Sequence, residues 1–521
     1  MTEKQTRTAV VIGAGPAGLT AAYKLLVERR EDWRVIILEE NSFPGGISRT
    51  VVHGKNRIDL GGHRFFSKSP EVNAIWRTLM PLQGAPAKDD IILHRDVVCS
   101  HGGPDPEIED RVMLRRRRVS RIYYLRHFFD YPISAKPATF LALGIGRTFL
   151  AGMSYLKSLL FKRKEHSLED FYINRFGKVL YSMFFEDYTE KLWGIHPSRI
   201  SPEWGAQRVK GLSIAKAIGN LLIPKGGRRE TSLIEEFIYP KKGPGQFWET
   251  MATAVTDMGG EIRYGRKVVK LYPPTKTAGE SNHWRIQTED GMTIVADALF
   301  SSMPICDLVA SFPDVPQNVH EIASSLPYRD FITVGLLVDR LALKNRTSMS
   351  TVNNIVPDTW IYVQDRGVKI GRIQIFNNWS PYMVDDITKH VWIGCEYFCS
   401  EGDDMWQMTD PELTNLAAKE LRTIGVLDAV EPIRDSICIR VKKAYPAYFG
   451  TYARFNEVRE WLDSQPGLFC IGRNGQHRYN NMDHSMLCAV EAVHALLAGT
   501  DVSAVWNVNT EDEYHETKDE R

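Results

Sequence analysis

Gly13, Gly15 and Gly18 are the residues of this chain whose spacing most directly implies chemistry. They follow the apolar run Val10–Ile12 and precede Leu19–Leu26, where apolar residues recur at helical spacing, so the order is strand, tight turn, helix. Gly13 permits the turn, Gly15 lets backbone approach a pyrophosphate, and Gly18 lets the helix pack closely on the strand. The helix N-terminus then offers N–H groups to phosphate oxygens. Glu39 closes the second apolar run, RVIIL, 26 positions after Gly13, where a carboxylate can hydrogen-bond a ribose hydroxyl. A lone G-x-G-x-x-G is often only a turn. Strand, turn, helix, strand and acid arriving in order argue for a dinucleotide-binding βαβ unit.

The elements that must position this chemistry span 521 residues, more than one ordinary core, and two or three domains are expected. With 65 Lys+Arg against 64 Asp+Glu, the formal charge of +1 gives no general pull toward nucleic acid or membrane, so an anionic ligand needs a local cluster. The seven cysteines are scattered without C-x-x-C spacing, which suits a reducing, cytoplasmic setting and no metal site. Cys395 and Cys399, four apart in a strand-like run, are roughly 13 Å distant and cannot form a disulfide. The N-terminus enters its first strand without a basic-then-apolar leader. Arg147 and Lys157 interrupt the apolar stretch Ala138–Phe161, leaving no span of about 18 apolar residues to cross a membrane. An amphipathic helix packed on the protein is the plain reading; Lys162, Arg163 and Lys164 keep a peripheral membrane contact as the alternative.

Further along, helices are expected from about Pro70 to Met80 and through Ala135 to about Ile223, with Ser167 as an N-cap. Ile91–Pro132 reads as strands with a Gly/Pro-rich loop at His101–Pro106, and its run Arg115–Arg118 as a solvated hairpin. Tyr239–Leu271 returns to mixed α/β character, and strands dominate from there to Tyr445. The fold class is α/β: a discontinuous, doubly wound (Rossmann-like) dinucleotide-binding domain from 1–90, 232–302 and 465–508, an inserted helical domain at 135–231, and an inserted antiparallel β-sheet domain from 91–134 and 303–464. Residues 509–521, charged and poor in apolar residues, read as a disordered tail.

Gly45–Gly46, followed by Ser48, Arg49 and Thr50, resembles the second phosphate-contacting segment of flavoproteins of the glutathione-reductase type, which favours FAD over NAD. Five further segments resemble UDP-galactopyranose mutases, in the order found in that family: IDLGGHRFF at 58–66, FEDYTEKLWG at 185–194, GRIQIF at 371–376, KAYPAYFGTY at 443–452, and GRNGQHRYNNMDHSM at 472–486. They span nearly the whole chain. The resemblance implies noncovalent FAD, active when reduced, whose N5 attacks the anomeric carbon of a nucleotide-diphosphate sugar and so exchanges pyranose for furanose without net oxidation.

The same resemblance assigns roles. Arg372 matches the diphosphate-binding arginine, and Tyr452 and Tyr479 match phenols reaching the same phosphates. Tyr188, Trp193, Arg208 and Asn481 match residues around sugar and nucleotide. His63 and Gly62 match the loop beside the flavin N5, Val268 the adenine contact, and Gly46 and Ser48 the phosphate segment. Gly472, Arg473 and Met482 lie where backbone and the last helix approach the flavin; a helix starting near Asp483 or His484 aims its N-terminus at the pyrimidine edge. Two departures stand out: Leu212 occupies the place of the mutases' second loop arginine, and Asn481 that of their Asp. An FAD-dependent oxidoreductase of the amine oxidase or protoporphyrinogen oxidase type, which shares the glycine segments, is the alternative.

Overall fold

The computed structural model describes residues 6–131, 137–202, 236–274 and 282–509. Its nucleotide-type layer is a five-stranded, all-parallel sheet in the spatial order Leu468–Cys470, Ala298–Ser301, Arg7–Ile12, Trp33–Leu38, Glu261–Arg263. Strands drawn from both ends of the chain therefore share one sheet. Val10, Val35, Ile37, Leu299 and Phe300 are fully buried because helices and a small sheet cover its two faces. On one face the helices Pro16–Arg29, Pro244–Asp257 and Met482–Ala498 pack together. The other face carries the three-stranded sheet Val268–Tyr272, Trp284–Thr288, Thr293–Ala296 and the helices Ile305–Ala310 and Gln317–Ser324.

A second, seven-stranded sheet runs in the order Asp435–Pro446, Tyr328–Val338, Val391–Cys399, Arg372–Ile375, Trp360–Val363, Ser120–Tyr124, His127–Asp130. It is antiparallel except where Trp360–Val363 meets Ser120–Tyr124. The helix Asp410–Ile424 covers one face through Leu413, Ala417 and Leu421. Toward the other side lie Leu168–Tyr181, a π-turn at Ser182–Glu186, and Asp187–Trp193. Ser167 caps the first of these as its sequence predicts, accepting the Asp170 N–H at 3.2 Å.

Three expectations are corrected. Met113–Arg117 is not part of a local hairpin; it pairs antiparallel with the distant strand Glu236–Pro240. Within it Arg116 is not solvated: it is buried and donates to both carboxylate oxygens of Asp89, at 3.0 and 2.7 Å. Asp89 and Asp90 belong to a helical turn, Lys88–Ile92, whose last residues run into the 91–132 stretch expected as strands. Finally, Ile145–Leu160 is a helix, but the face it packs inward carries Ala151 and Ser158, while its large apolar residues point outward. Arg208, Leu212 and all of the 509–521 tail except Asn509 lie outside the described residues.

One buried network ties the glycine-rich side to the strand at 236–240. Thr50 Oγ1 donates to Asp59 Oδ1 at 2.7 Å, and the Tyr239 hydroxyl donates to Oδ2 of the same carboxylate. Burial pushes the Asp59 carboxyl up to about 7, the two hydrogen bonds only partly opposing it. A carboxyl whose pKa is raised on folding favours the folded state while protonated, so stability falls as pH rises from about 4 through about 7. The wild type is expected to lose on the order of 4 kcal/mol across that window from this group. Thermal unfolding of Asp59→Asn should lack that component, its Tm advantage over wild type growing from pH 4 to pH 7 and then levelling; a constant difference would exclude it.

Candidate active site

The turn after the first strand is built so that backbone meets backbone. Gly13 has φ +96°, and a Cβ there would lie 2.2 Å from Ser302 Oγ. The Gly13 N–H donates to Leu38 O at 2.8 Å and the Gly45 N–H to Ala14 O at 2.8 Å, which draws the Gly45–Gly46 loop onto the turn. A Cβ on Gly46 would sit 3.3 Å from Gly15 Cα, so two side-chain-free segments face each other at the start of Pro16–Arg29. That helix has no side-chain cap and no acid in its first turn. Its positive end is thus left for an anion. Ser48 is buried, its N–H donating to Gly45 O at 2.9 Å. Arg49 lies over the Phe43 ring at 4.4 Å, with its pKa lowered by burial.

Glu39 is buried at the end of the second strand. Its Oε2 accepts the Ala14 N–H at 2.7 Å, and its Oε1 accepts from the Asn41 N–H at 2.9 Å and from Asn41 Nδ2 at 2.7 Å. The carboxylate therefore braces the glycine turn. Val268 begins the neighbouring small sheet, opposite Thr288 and two residues beyond Arg266, whose N–H donates to Glu39 O at 2.8 Å. Gly472, with φ +78°, would place a Cβ 2.8 Å from Ala17 Cβ, so the C-terminal loop rests on the first helix. Met482 opens the last helix, buried in the same core, one residue earlier than expected. A bare two-glycine cradle, an uncapped helix start and an adjacent arginine fit a dinucleotide such as FAD.

On the seven-stranded sheet Arg372 stands directly opposite Glu396 in the antiparallel register. Both are buried; Arg372 Nη1 donates to Glu396 Oε2 at 3.2 Å and to the Tyr445 hydroxyl at 3.3 Å, and Nε donates to the Tyr188 hydroxyl at 2.6 Å. Gln374 Nε2 donates to Glu396 Oε1 at 2.9 Å. Tyr445 and Tyr479 stack with centroids 5.7 Å apart, and the Arg473 guanidinium lies 4.7 Å from the Tyr479 ring. Arg473 is held there by carbonyls, Asn480 O at 2.9 Å and Ala444 O at 3.0 Å. Burial raises the pKa of Tyr188 and of Tyr445, so both phenols keep their protons.

His63 shares this region. It contacts Leu60 O at 3.2 Å, and burial, with the charge of Arg473 adding, lowers its pKa to about 4, leaving a neutral imidazole at pH 7. Gly62 admits the Trp360 ring, which a Cβ would overlap at 1.2 Å. Trp360 in turn lies 5.1 Å from the Arg372 guanidinium. Trp193 is buried in the adjoining core with Leu60, Phe398 and Tyr445. Two predicted residues make other contacts: Tyr452 packs on Tyr448, Phe455 and His477, and the Asn481 N–H donates to His484 Nδ1 at 3.3 Å in starting the last helix.

Glu396 and Tyr445 were not anticipated. Glu396 is a lone acid in the apolar run VWIGCEYFC, and that is the signal that could have found it. Trp360 Nε1 and Gln374 Oε1, beside Arg372 and Glu396, are two of the buried polar atoms without a hydrogen-bond partner among the described residues. Arg372 and Arg473 against Glu396, with His63 neutral, leave the cluster with a net positive charge.

The family model of flavin containing amine oxidoreductases matches residues 16–472, and the chain belongs to that family. Its cofactor is FAD. The fold is similar to that of a reduced UDP-galactopyranose mutase, with a TM-score of 0.75 at 19% identity over 98% of this chain and 100% of that one. It is also similar to a protein from Exiguobacterium sp. 255-15 assigned as a protoporphyrinogen oxidase, with a TM-score of 0.64 at 16% identity over 95% of this chain and 98% of that one. A coproporphyrinogen III oxidase of Mycobacterium leprae (strain TN) is 37% identical over 70 residues, a match spanning 13% of this chain and 16% of that relative.

The cradle separates two glycines experimentally. Gly15 has ordinary extended backbone (φ −81°), and the nearest neighbour of an added Cβ is 3.9 Å away, whereas a Cβ on Gly18 would meet Gly13 O at 1.9 Å. Gly15→Val should therefore fold with near-native Tm and circular dichroism but purify without the yellow absorbance of FAD, while Gly18→Val should lower stability as well. Stoichiometric FAD in a folded Gly15→Val protein would contradict this placement of the cofactor.

Proposed function

We propose that this flavoenzyme acts on a nucleotide-diphosphate sugar as a redox-neutral mutase, with FAD bound noncovalently and reduced. The supporting observation is the buried guanidinium of Arg372. Glu396 engages only its Nη1, and Nη2 makes no hydrogen bond to the described residues. An oxyanion can take that donor, with Arg473 supplying the second positive charge and Trp360 Nε1 an unused N–H. Reduced FAD would supply the nucleophile for the anomeric carbon. The protein's part is then to hold the diphosphate and stabilise the charge it gains on leaving, through fixed cations and protonated phenols in a water-poor site. Tyr188 and Tyr445 orient the guanidinium, and neutral His63 adds no competing charge.

A net oxidation is the second reading, favoured by the short match to a coproporphyrinogen III oxidase. The two differ in the redox state they need. With UDP-galactose and related nucleotide sugars as probes, the mutase reading expects turnover only after dithionite reduction, persisting anaerobically for many cycles without stoichiometric reductant. Substrate-dependent hydrogen peroxide matching product, formed from oxidised protein, would overturn it in favour of the oxidase.

Arg372→Ala should retain the flavin spectrum and lose about 2–4 kcal/mol of transition-state stabilisation toward a diphosphate-linked sugar, measured as kcat/KM. Glu396 left behind is deeply buried, its pKa already raised by desolvation, and it should protonate instead of unfolding the sheet. Unchanged kcat/KM would remove Arg372 from the site.

A further inference from the structure

The two helices Pro137–Leu143 and Ile145–Leu160 are built inside out for a soluble protein. Against Leu168–Tyr181 the longer helix turns small residues: Ala151 and Ser158 are buried, and Gly177 admits the backbone of Ser154 and Tyr155, which a Cβ there would meet at 2.8–2.9 Å. Its large residues face outward. Ile145, Phe149, Met153, Leu156 and Leu160 follow one another at three- and four-residue spacing, one stripe of the helix. Ile145 is 91% exposed, Leu160 78% and Phe149 67%, and the stripe is extended by Leu141 at 83% and Phe161 at 72%. No other set of exposed large apolar residues among the described ones is this contiguous in sequence.

The charge around the stripe is one-sided. From Pro137 to Lys164 there is no Asp or Glu, while Arg147, Lys157, Lys162, Arg163 and Lys164 are present, in a chain whose total charge is only +1. All five are exposed. Lys162 also donates to Asn174 O, and Arg163 lies 3.6 Å from Asp170; Arg147, Lys157 and Lys164 have no ion-pair partner among the described residues. An apolar stripe with cations at its flank and end, and no acid, matches the interface of an anionic bilayer, where phenylalanine and leucine enter the acyl boundary and ammonium groups meet phosphate. No described helix is long and apolar enough to cross a membrane, so contact would be along the surface.

We propose that the Leu141–Lys164 face docks this protein on an anionic lipid membrane. The inference uses none of the nucleotide or Arg372 residues, so it stands or falls separately from the mutase reading. The flavin-loaded full chain is incubated with phosphatidylcholine vesicles, with or without phosphatidylglycerol, and bound protein is measured by co-sedimentation and light scattering. Binding is expected to the phosphatidylglycerol vesicles, weakening as salt rises. Two variants test the two components, Phe149→Asp with Leu156→Asp, and Lys157→Glu with Lys164→Glu. Each should bind about tenfold more weakly or worse while keeping full FAD absorbance, which shows that the fold is intact. Failure of the wild type to bind either vesicle, or equal binding by wild type and variants, overturns the proposal. So does a wild-type dimer in solution that the Phe149→Asp, Leu156→Asp protein no longer forms, since the face then belongs to a second copy of the chain.

Discussion

The pairing of Arg372 with Glu396 across two strands is the constraint on which the substrate side of this protein depends. Both charges are buried, and neither could be left there alone: removing one partner of such a pair typically costs about 3–5 kcal/mol. The guanidinium also directs Nε to Tyr188 from the helical layer and Nη1 to Tyr445 from the far edge strand of the sheet, leaving Nη2 without a hydrogen bond among the described residues. Stacking of Tyr445 on Tyr479 then carries the arrangement into the C-terminal loop, where Arg473 begins next to a glycine that touches the first helix. Segments near residues 188, 372, 396, 445 and 479 are thus held by one buried charge. Buried ion pairs contribute little net stability, so a site of this kind is better understood as fixing geometry.

The cofactor side follows a different rule. There the protein offers few side chains, and the binding surface is made by leaving them out. Gly15 and Gly46 come from separate loops, yet the Gly45–Ala14 hydrogen bond brings them within contact of each other. Glu39 is spent on the same task, its two oxygens taking three donors from the turn and from Asn41. A carboxylate so engaged keeps one acceptor site open, on Oε2, and its rigidity is what would make a further hydrogen bond there selective.

Much of this was readable from the residues. The glycine turn, the parallel strands buried on both faces, the Ser167 cap and the start of the last helix to within one residue are local properties, encoded by spacing and by turn chemistry. Arg372 was singled out through its likeness to a known segment, and it is buried in a charged cluster. Its counter-charge was not, because Glu396 is 24 positions away and comes opposite only through the register of two strands. Arg116 failed for the same reason: four consecutive arginines look solvated until a helical turn at Lys88–Ile92 supplies buried carboxylates. The helix at 145–160 was recognised as amphipathic, but which face turns inward is decided by the close approach at Gly177, and no periodicity reports that.

The sign of the charge at the site narrows what the family name leaves broad. An amine substrate arrives as a cation and needs a neutral or acidic pocket to bind and to shed its proton. Here two guanidiniums face one carboxylate, and burial together with Arg473 keeps His63 from acting as a further cation at neutral pH. Bringing an ammonium group to within a few ångströms of that cluster would be repulsive, and more so for being away from water. An anion meets the opposite field, with donors already oriented. Phosphates and carboxylates are both admitted by that argument. The open Nη2 of Arg372, the Arg473 charge and the indole N–H of Trp360 offer donors from several directions, which is why the proposed substrate is a diphosphate with several oxygens and not a single carboxylate.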